Sequence, residues 1–371
     1  MEVTMERTRR SAIISILVTT AGYVLLSPAP NVYAQKTHTE SDLYAFFEQI
    51  LEKKHEEKFD EALQLAERLR QSYPEDPAGT FGLLVTYQTI MRNYRVRVYE
   101  DRFNDLLNLC VKQAKKAIKK NKRDGKNYFY LGCAFGSRSI YYAERGKWMK
   151  AFKDGARVKS NFQKSLTFSP DFYDAYYGLG LFNYWLAAKS KLLRMLPFSK
   201  NGRQKGLHQI QMAVEKGRFL KTDGMFGLAT VYFNEGQYDK ALEISQQLYR
   251  RYPQNPSLLY KLGCIHEKLG QWQDASQCFE KLHTLLTETK YKSVSYQVDC
   301  LYQMAKCAYQ LGHYLETQRL CQQALALEKT CDFSKEIDGP FEKYAEIKKG
   351  LRRLNKEVES IMLTQASNHK G

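Results

Sequence analysis

Residues 223–253 read DGMFGLATVYFNEGQYDKALEISQQLYRRYP, and the chain repeats this pattern 34 residues further on. Leu228, Ala229, Tyr232, Gly236, Tyr238, Ala241 and Leu248 are answered by Leu262, Gly263, His266, Gly270, Trp272, Ala275 and Leu282. Each position has a physical reason. A small Ala229 or Gly263 lets a second helix approach closely. Gly236 and Gly270 end the first helix, because glycine takes the left-handed conformation without a Cβ penalty. The aromatic two residues later fills the wedge between the helices, and Ala241 or Ala275 sits at their tightest crossing. Pro253 cannot continue the second helix. The unit is a helical hairpin that cannot bury its apolar face alone, so units must stack.

The length and the L-G-x2-Y…G-x-Y-x2-A…P pattern resemble the tetratricopeptide-repeat family. The resemblance implies an all-α, right-handed superhelical solenoid. It is densest over 222–331 and thinner elsewhere. Phe59, Ala62, Leu69 and Pro74 outline a second helix and its stop. Leu131-Gly132 and Leu179-Gly180 mark first helices, Pro170 ends a unit, and Gly312-His313-Tyr314 repeats the turn after an insertion of 8 residues. Seven hairpins are expected, at 43–76, 78–122, 125–170, 173–220, 222–255, 256–287 and 298–331. The array as a whole is expected over 35–331. A connector and capping helix follow at 332–365, and a disordered tail at 366–371. Phe341, Tyr344, Ile347, Leu351, Leu354, Val358 and Ile361 form the single apolar stripe a terminal cap needs.

Ahead of the array, Arg7, Arg9 and Arg10 precede an apolar run, Ala12–Leu26, too short for a comfortable membrane span. Val32-Tyr33-Ala34 supplies small residues for cleavage, so 1–34 reads as a signal peptide and the chain as exported, periplasmic or secreted, with an uncleaved N-terminal anchor as the alternative. Export permits disulfides among the eight cysteines. No CxxC or paired Cys/His spacing points to zinc, and buried thiols are the alternative. Cys300 and Cys307 lie about two turns apart, too far to bridge on one straight helix.

Hydrophobic residues make up 43% of the chain, ample for a core. The net charge of +17 is not spread evenly: Arg92–Lys205 holds 26 Lys and Arg against 8 Asp and Glu. Lys115, Lys116, Lys119, Lys120 and Arg123 form its densest run. Such a zone attracts acidic proteins or an anionic membrane surface. Export and the lack of any nucleic-acid module argue against nucleic acid. Within it, 185–198 interleaves Trp185, Leu192, Leu193, Met195, Leu196 and Phe198 with lysine and arginine. This is an interfacial pattern, which also fits a helix folded back on the array.

The resemblance also implies a concave groove lined by first-helix positions. The fifth and twelfth repeat positions place Phe129, Tyr177, Tyr184, Phe226, Phe233, Tyr260, Tyr302 and Tyr309 there. We expect Tyr177, Tyr184, Phe226, Phe233, Tyr260, Tyr302 and Tyr309 to contact a protein or peptide partner. The lysine–asparagine clamp of some family members is missing, since the ninth positions are Cys133, Leu181, Thr230, Cys264 and Lys306. HExxH, GxSxG, P-loop and GxGxxG motifs are absent from the sequence. A non-catalytic scaffold without cofactor or metal is expected.

Overall fold

The computed structural model describes residues 40–189 and 198–368. The expected signal segment and Ser190–Pro197 of the 185–198 segment lie outside the described residues. By contacts the chain divides into residues 1–42 and residues 43–371. The first unit is described only at Glu40–Asp42, the acidic opening turn of a helix. Everything below belongs to the second.

Among the described residues there are fifteen α-helices: α1 (Glu40–His55), α2 (Phe59–Ser72), α3 (Pro77–Tyr94), α4 (Glu100–Lys120), α5 (Gly125–Glu144), α6 (Trp148–Phe168), α7 (Ala175–Lys189), α8 (Phe198–Lys216), α9 (Lys221–Asn234), α10 (Tyr238–Arg251), α11 (Pro256–Lys268), α12 (Trp272–Glu288), α13 (Val294–Gln310), α14 (Tyr314–Glu328) and α15 (Tyr344–Asn368). They form seven stacked hairpins closed by α15, the expected all-α solenoid. The cap continues to Asn368, into the stretch where a disordered tail is expected. Thr364 and Ser367 hydroxyls donate to carbonyls four residues back in its last turns.

Several first helices start on side-chain caps. Asp76, Asp124, Asn255 and Ser293 accept from backbone N–H groups of α3, α5, α11 and α13. Pro77 and Pro256 occupy the first turn, where no N–H is needed. Inside the hairpins, Ala62, Ala241, Ala275 and, in the last one, Thr317 are fully buried at the helix crossing. The α7–α8 crossing is close. A Cβ on Gly180 would lie 2.7 Å from the Gly206 carbonyl oxygen, so the two backbones touch there.

Among the described residues, the turns between paired helices share one geometry. A residue in the left-handed conformation is followed by an N–H that bonds five residues back, as from Gln237 to Tyr232 O and from Gln271 to His266 O, each at 2.9 Å. Gly146, Gly236, Gly270 and Gly312 hold that place in hairpins three, five, six and seven. In the first two hairpins it is held by Glu57 (φ 61°) and Arg95 (φ 55°), the only positive-φ residues besides glycine among those described. Lys58 N–H to Lys53 O and Val96 N–H to Met91 O, both 3.0 Å, complete the same bond there.

Candidate functional site

A left-handed non-glycine residue costs about 1–2 kcal/mol. What Glu57 and Arg95 gain is a side chain where the other hairpins have none, and both reach across the array. The array curls back so that hairpins one and two lie against hairpins five to seven. Phe59, Ile90, Tyr94 and Val96 share a core with Leu259, Tyr260, Phe279, Leu286, Tyr291 and Tyr296.

Three polar latches hold this closure. Glu57 Oε1 accepts from Asn93 Nδ2 (2.7 Å) and from Asn255 Nδ2 (2.8 Å). Burial pushes its carboxyl up to about 8 against the bonds from Asn93 and Tyr94 and the charge of Lys54. The Arg95 guanidinium, 4% exposed, donates to the fully buried Asp299 at 2.6 Å. It lies 3.6 Å from the Tyr296 ring centre and 4.4 Å from that of Tyr260. Gln303 donates to the other Asp299 oxygen at 2.8 Å. At the end of α1, Lys54 and His55 both reach Asp223 on α9 at 3.1 Å. Burial would raise the Asp223 carboxyl, but the Lys54 charge and the hydrogen bonds to Lys54 and His55 hold it below the usual carboxylate range; burial and the Lys54 charge lower the His55 imidazole.

The connector after α14 also crosses to the second hairpin. Val96 pairs with Glu336 as an isolated β-bridge, and Ile337 N–H donates to Arg95 O at 3.0 Å. The Glu336 carboxylate caps α13 through Ser293, Val294 and Ser295. Exposed pairs mark the same seam: Glu48 with Arg218, Glu52 with Arg251 (3.0 Å) and Asp60 with Lys290 (3.0 Å).

This closure decides where the aromatic row lies. Tyr302 is buried against α15, and Tyr309 donates to Glu357 on α15 at 2.5 Å. Phe233 and Tyr260 pack on Phe341 of the connector, with ring centres 4.7 and 6.1 Å away. Phe226 stacks on His55 of α1. Tyr184 is buried and donates to Glu235 at 2.6 Å. The seven aromatics therefore do not form one open ladder, because the chain's own ends take up much of the inner face. Tyr177, Phe226, Phe233 and Tyr309 stay partly exposed.

Two cations stand beside Tyr177 and Phe226. Arg92 is 48% exposed. It pairs with Glu144 at 2.6 Å. Lys261, buried, donates to Phe226 O (3.0 Å) and Thr230 Oγ1 (2.6 Å). Burial, then the neighbouring Arg92 charge, lowers its ammonium to about 7.

The basic zone is only partly a free surface. Lys115, Lys116, Lys119, Lys120 and Arg123 are exposed on the end of α4 and its exit, and Glu75 pairs with Lys116 (2.9 Å) and Lys120 (2.6 Å). Arg138 and Arg157 share Asp154, and Arg145 pairs with Glu100. All eight cysteines are free thiols, six of them buried. Among the described residues no three His, Cys, Asp or Glu side chains gather as metal ligands, and no helix is long and apolar enough to cross a membrane.

Trp148, Met149 and Phe152, exposed on the first turns of α6, escaped the sequence reading. Gly146-Lys147-Trp148-x2-Ala151 carries the turn pattern and was the signal for them.

A family model described as anaphase-promoting complex, cyclosome, subunit 3 matches residues 222–282. Among solved structures, the Cut9–Hcn1 hetero-tetramer of the APC/C is similar at 15% identity and a TM-score of 0.48, over 73% of this chain and 43% of that one. The chain thus spans under half of that structure's length. PilW, a widely conserved type IV pilus biogenesis factor, is similar at 15% identity and a TM-score of 0.43, over 64% of this chain and 93% of that one. YrrB, described as a TPR protein with an unusual peptide-binding site, follows at 15% identity and a TM-score of 0.41, over 58% and 92%. Comparison with curated protein sequences finds no match. The hairpins themselves carry the fold, through their left-handed turns, the small residues buried at the crossings of hairpins one, five, six and seven and the 34-residue step from Gly236 to Gly270: the chain is built as a solenoid of tetratricopeptide-type hairpins.

Proposed function

We propose that the chain is a non-catalytic scaffold that holds a segment of a protein partner on the part of its inner face left open by closure. One observation carries the reading. The partly exposed aromatics Tyr177 and Phe226 sit beside Arg92 and the buried amine of Lys261, so apolar contact area meets the Arg92 charge in one place. An extended segment with an aromatic or aliphatic anchor and a carboxylate fits that chemistry. The exposed lysines at the end of α4 steer acidic partners toward the array without contacting them in the bound state. We place the protein outside the cytoplasm on the strength of the 1–34 segment.

The experiment is site-specific photo-crosslinking in the cells that make the protein. A crosslinker at position 177 is expected to yield one dominant protein adduct, and Arg92→Glu is expected to abolish it while leaving the helical circular dichroism unchanged. An adduct indifferent to Arg92→Glu, or none from position 177, rejects the inner-face reading.

A further inference from the structure

The first turns of α6 carry the largest group of exposed apolar side chains among the described residues. Trp148 is 64% exposed, Met149 81% and Phe152 54%. Trp148 stands where hairpins five, six and seven have Tyr238, Trp272 and Tyr314, all half-buried in the hairpin wedge. Here the indole faces out instead. Trp148 and Phe152 are four residues apart, hence on one helix face, with Met149 beside them.

Lysines alternate with these residues. Lys147, Lys150 and Lys153 are all exposed. The carboxylate nearest in sequence is Asp154, which is 2% exposed and already held by Arg138 and Arg157. On this helix nothing offsets the three ammonium groups. The structure therefore displays three protruding apolar side chains ringed by lysines that no carboxylate of this helix pairs, one of which, Lys150, lies over the Tyr142 ring at 5.7 Å.

We propose that this face of α6 docks on an anionic lipid surface. The three side chains offer roughly 400 Å² of apolar area, about half of what one partner contributes to a standard protein interface. Their immediate neighbours are lysines rather than further apolar residues, so the patch cannot grow into the apolar core such an interface needs. A bilayer makes no such demand. Trp148, Met149 and Phe152 enter the headgroup–acyl boundary, and the lysine stems extend to lipid phosphates. Trp148 is well suited to this depth because its indole pairs an apolar body with one N–H donor. The proposal is independent of the inner-face reading, since α6 contributes no inner-face aromatic.

The test is flotation of the full chain with phosphatidylcholine vesicles, with and without phosphatidylglycerol. Because Ala12–Leu26 is itself apolar, the readout is the difference between variants of the same chain. The wild type is expected to float with the anionic vesicles only and to be released by added salt. The triple variants Trp148→Ala/Met149→Ala/Phe152→Ala and Lys147→Gln/Lys150→Gln/Lys153→Gln are each expected to lose at least about tenfold in partitioning. Both change exposed side chains only, and unchanged melting curves confirm that they fold. Equal flotation of the three proteins, or binding to neutral vesicles that survives the apolar triple variant, overturns the proposal. So does absence of wild-type binding.

Discussion

Replacing Arg95 with glycine separates two effects that the structure superimposes. The backbone at 95 is left-handed at φ 55°, so glycine relieves about 1 kcal/mol of strain. The same change removes the guanidinium from the fully buried Asp299 and leaves that carboxylate with only the neutral donors Gln303 and Tyr260. Breaking a buried pair from one side costs about 3–5 kcal/mol, because the remaining charge is uncompensated. Arg95→Gly is therefore expected to lose about 2–4 kcal/mol net. Arg95→Ala, which keeps the strained backbone, is expected to lose about 1 kcal/mol more. Adding Asp299→Asn to Arg95→Gly neutralises the orphaned charge and is expected to restore part of the loss. The assay is urea unfolding followed by far-UV circular dichroism, with the slope checked for a constant value among variants. If Arg95→Gly is as stable as the wild type, or more so, the latch contributes nothing and the reasoning fails.

Two buried groups give opposite pH slopes. The native state holds the Glu57 proton from its ordinary 4.5 up to about 8, where the unfolded chain has lost it. This contribution makes stability fall as pH rises through that window, by at most about 1.4 kcal/mol per unit; Glu57→Gln, which keeps the accepting oxygen for Asn93 and Asn255, is expected to flatten it. Lys261 behaves inversely: from about 7 to 10.5 the unfolded chain binds the proton and the native state does not, so stability rises with pH, and Lys261→Met is expected to remove that rise. Urea midpoints across the pH range check both. Thiol labelling of the folded chain is expected to stop after the two half-buried residues, Cys278 and Cys331, with the other six reacting only on unfolding; mass spectrometry after brief alkylation reads this directly.

The hairpins were legible in the sequence because they are local. The glycine turn, the aromatic wedge and the small crossing residue all fall within one 34-residue window, and their spacing is imposed by helix geometry. Closure was not legible. Arg95 and Asp299 are 204 residues apart, and nothing in either neighbourhood names the other. A trace was nevertheless present. Glu57 and Arg95 occupy the turn position that glycine holds elsewhere, and a charged residue there needs a reason. The aromatic row was read from repeat positions as lining the inner side of first helices. What the spacing could not convey is that α1, Phe341 and α15 pack onto the same side chains. The basic zone was counted correctly as charge, but sequence distance does not report that Asp299, Glu144, Asp154 and Glu100 absorb several of its arginines.

Closure of the array, which fixes what remains of the inner face for a partner, is tested most directly by zero-length carboxyl–amine crosslinking with peptide mapping. Asp60 and Lys290 are exposed, 230 residues apart in sequence and 3.0 Å apart in the closed array. The account predicts an Asp60–Lys290 crosslink in the monomeric protein, formed alongside the local Glu75–Lys116 link. Recovery of the Glu75–Lys116 link without the Asp60–Lys290 link would mean an open solenoid, and would contradict it.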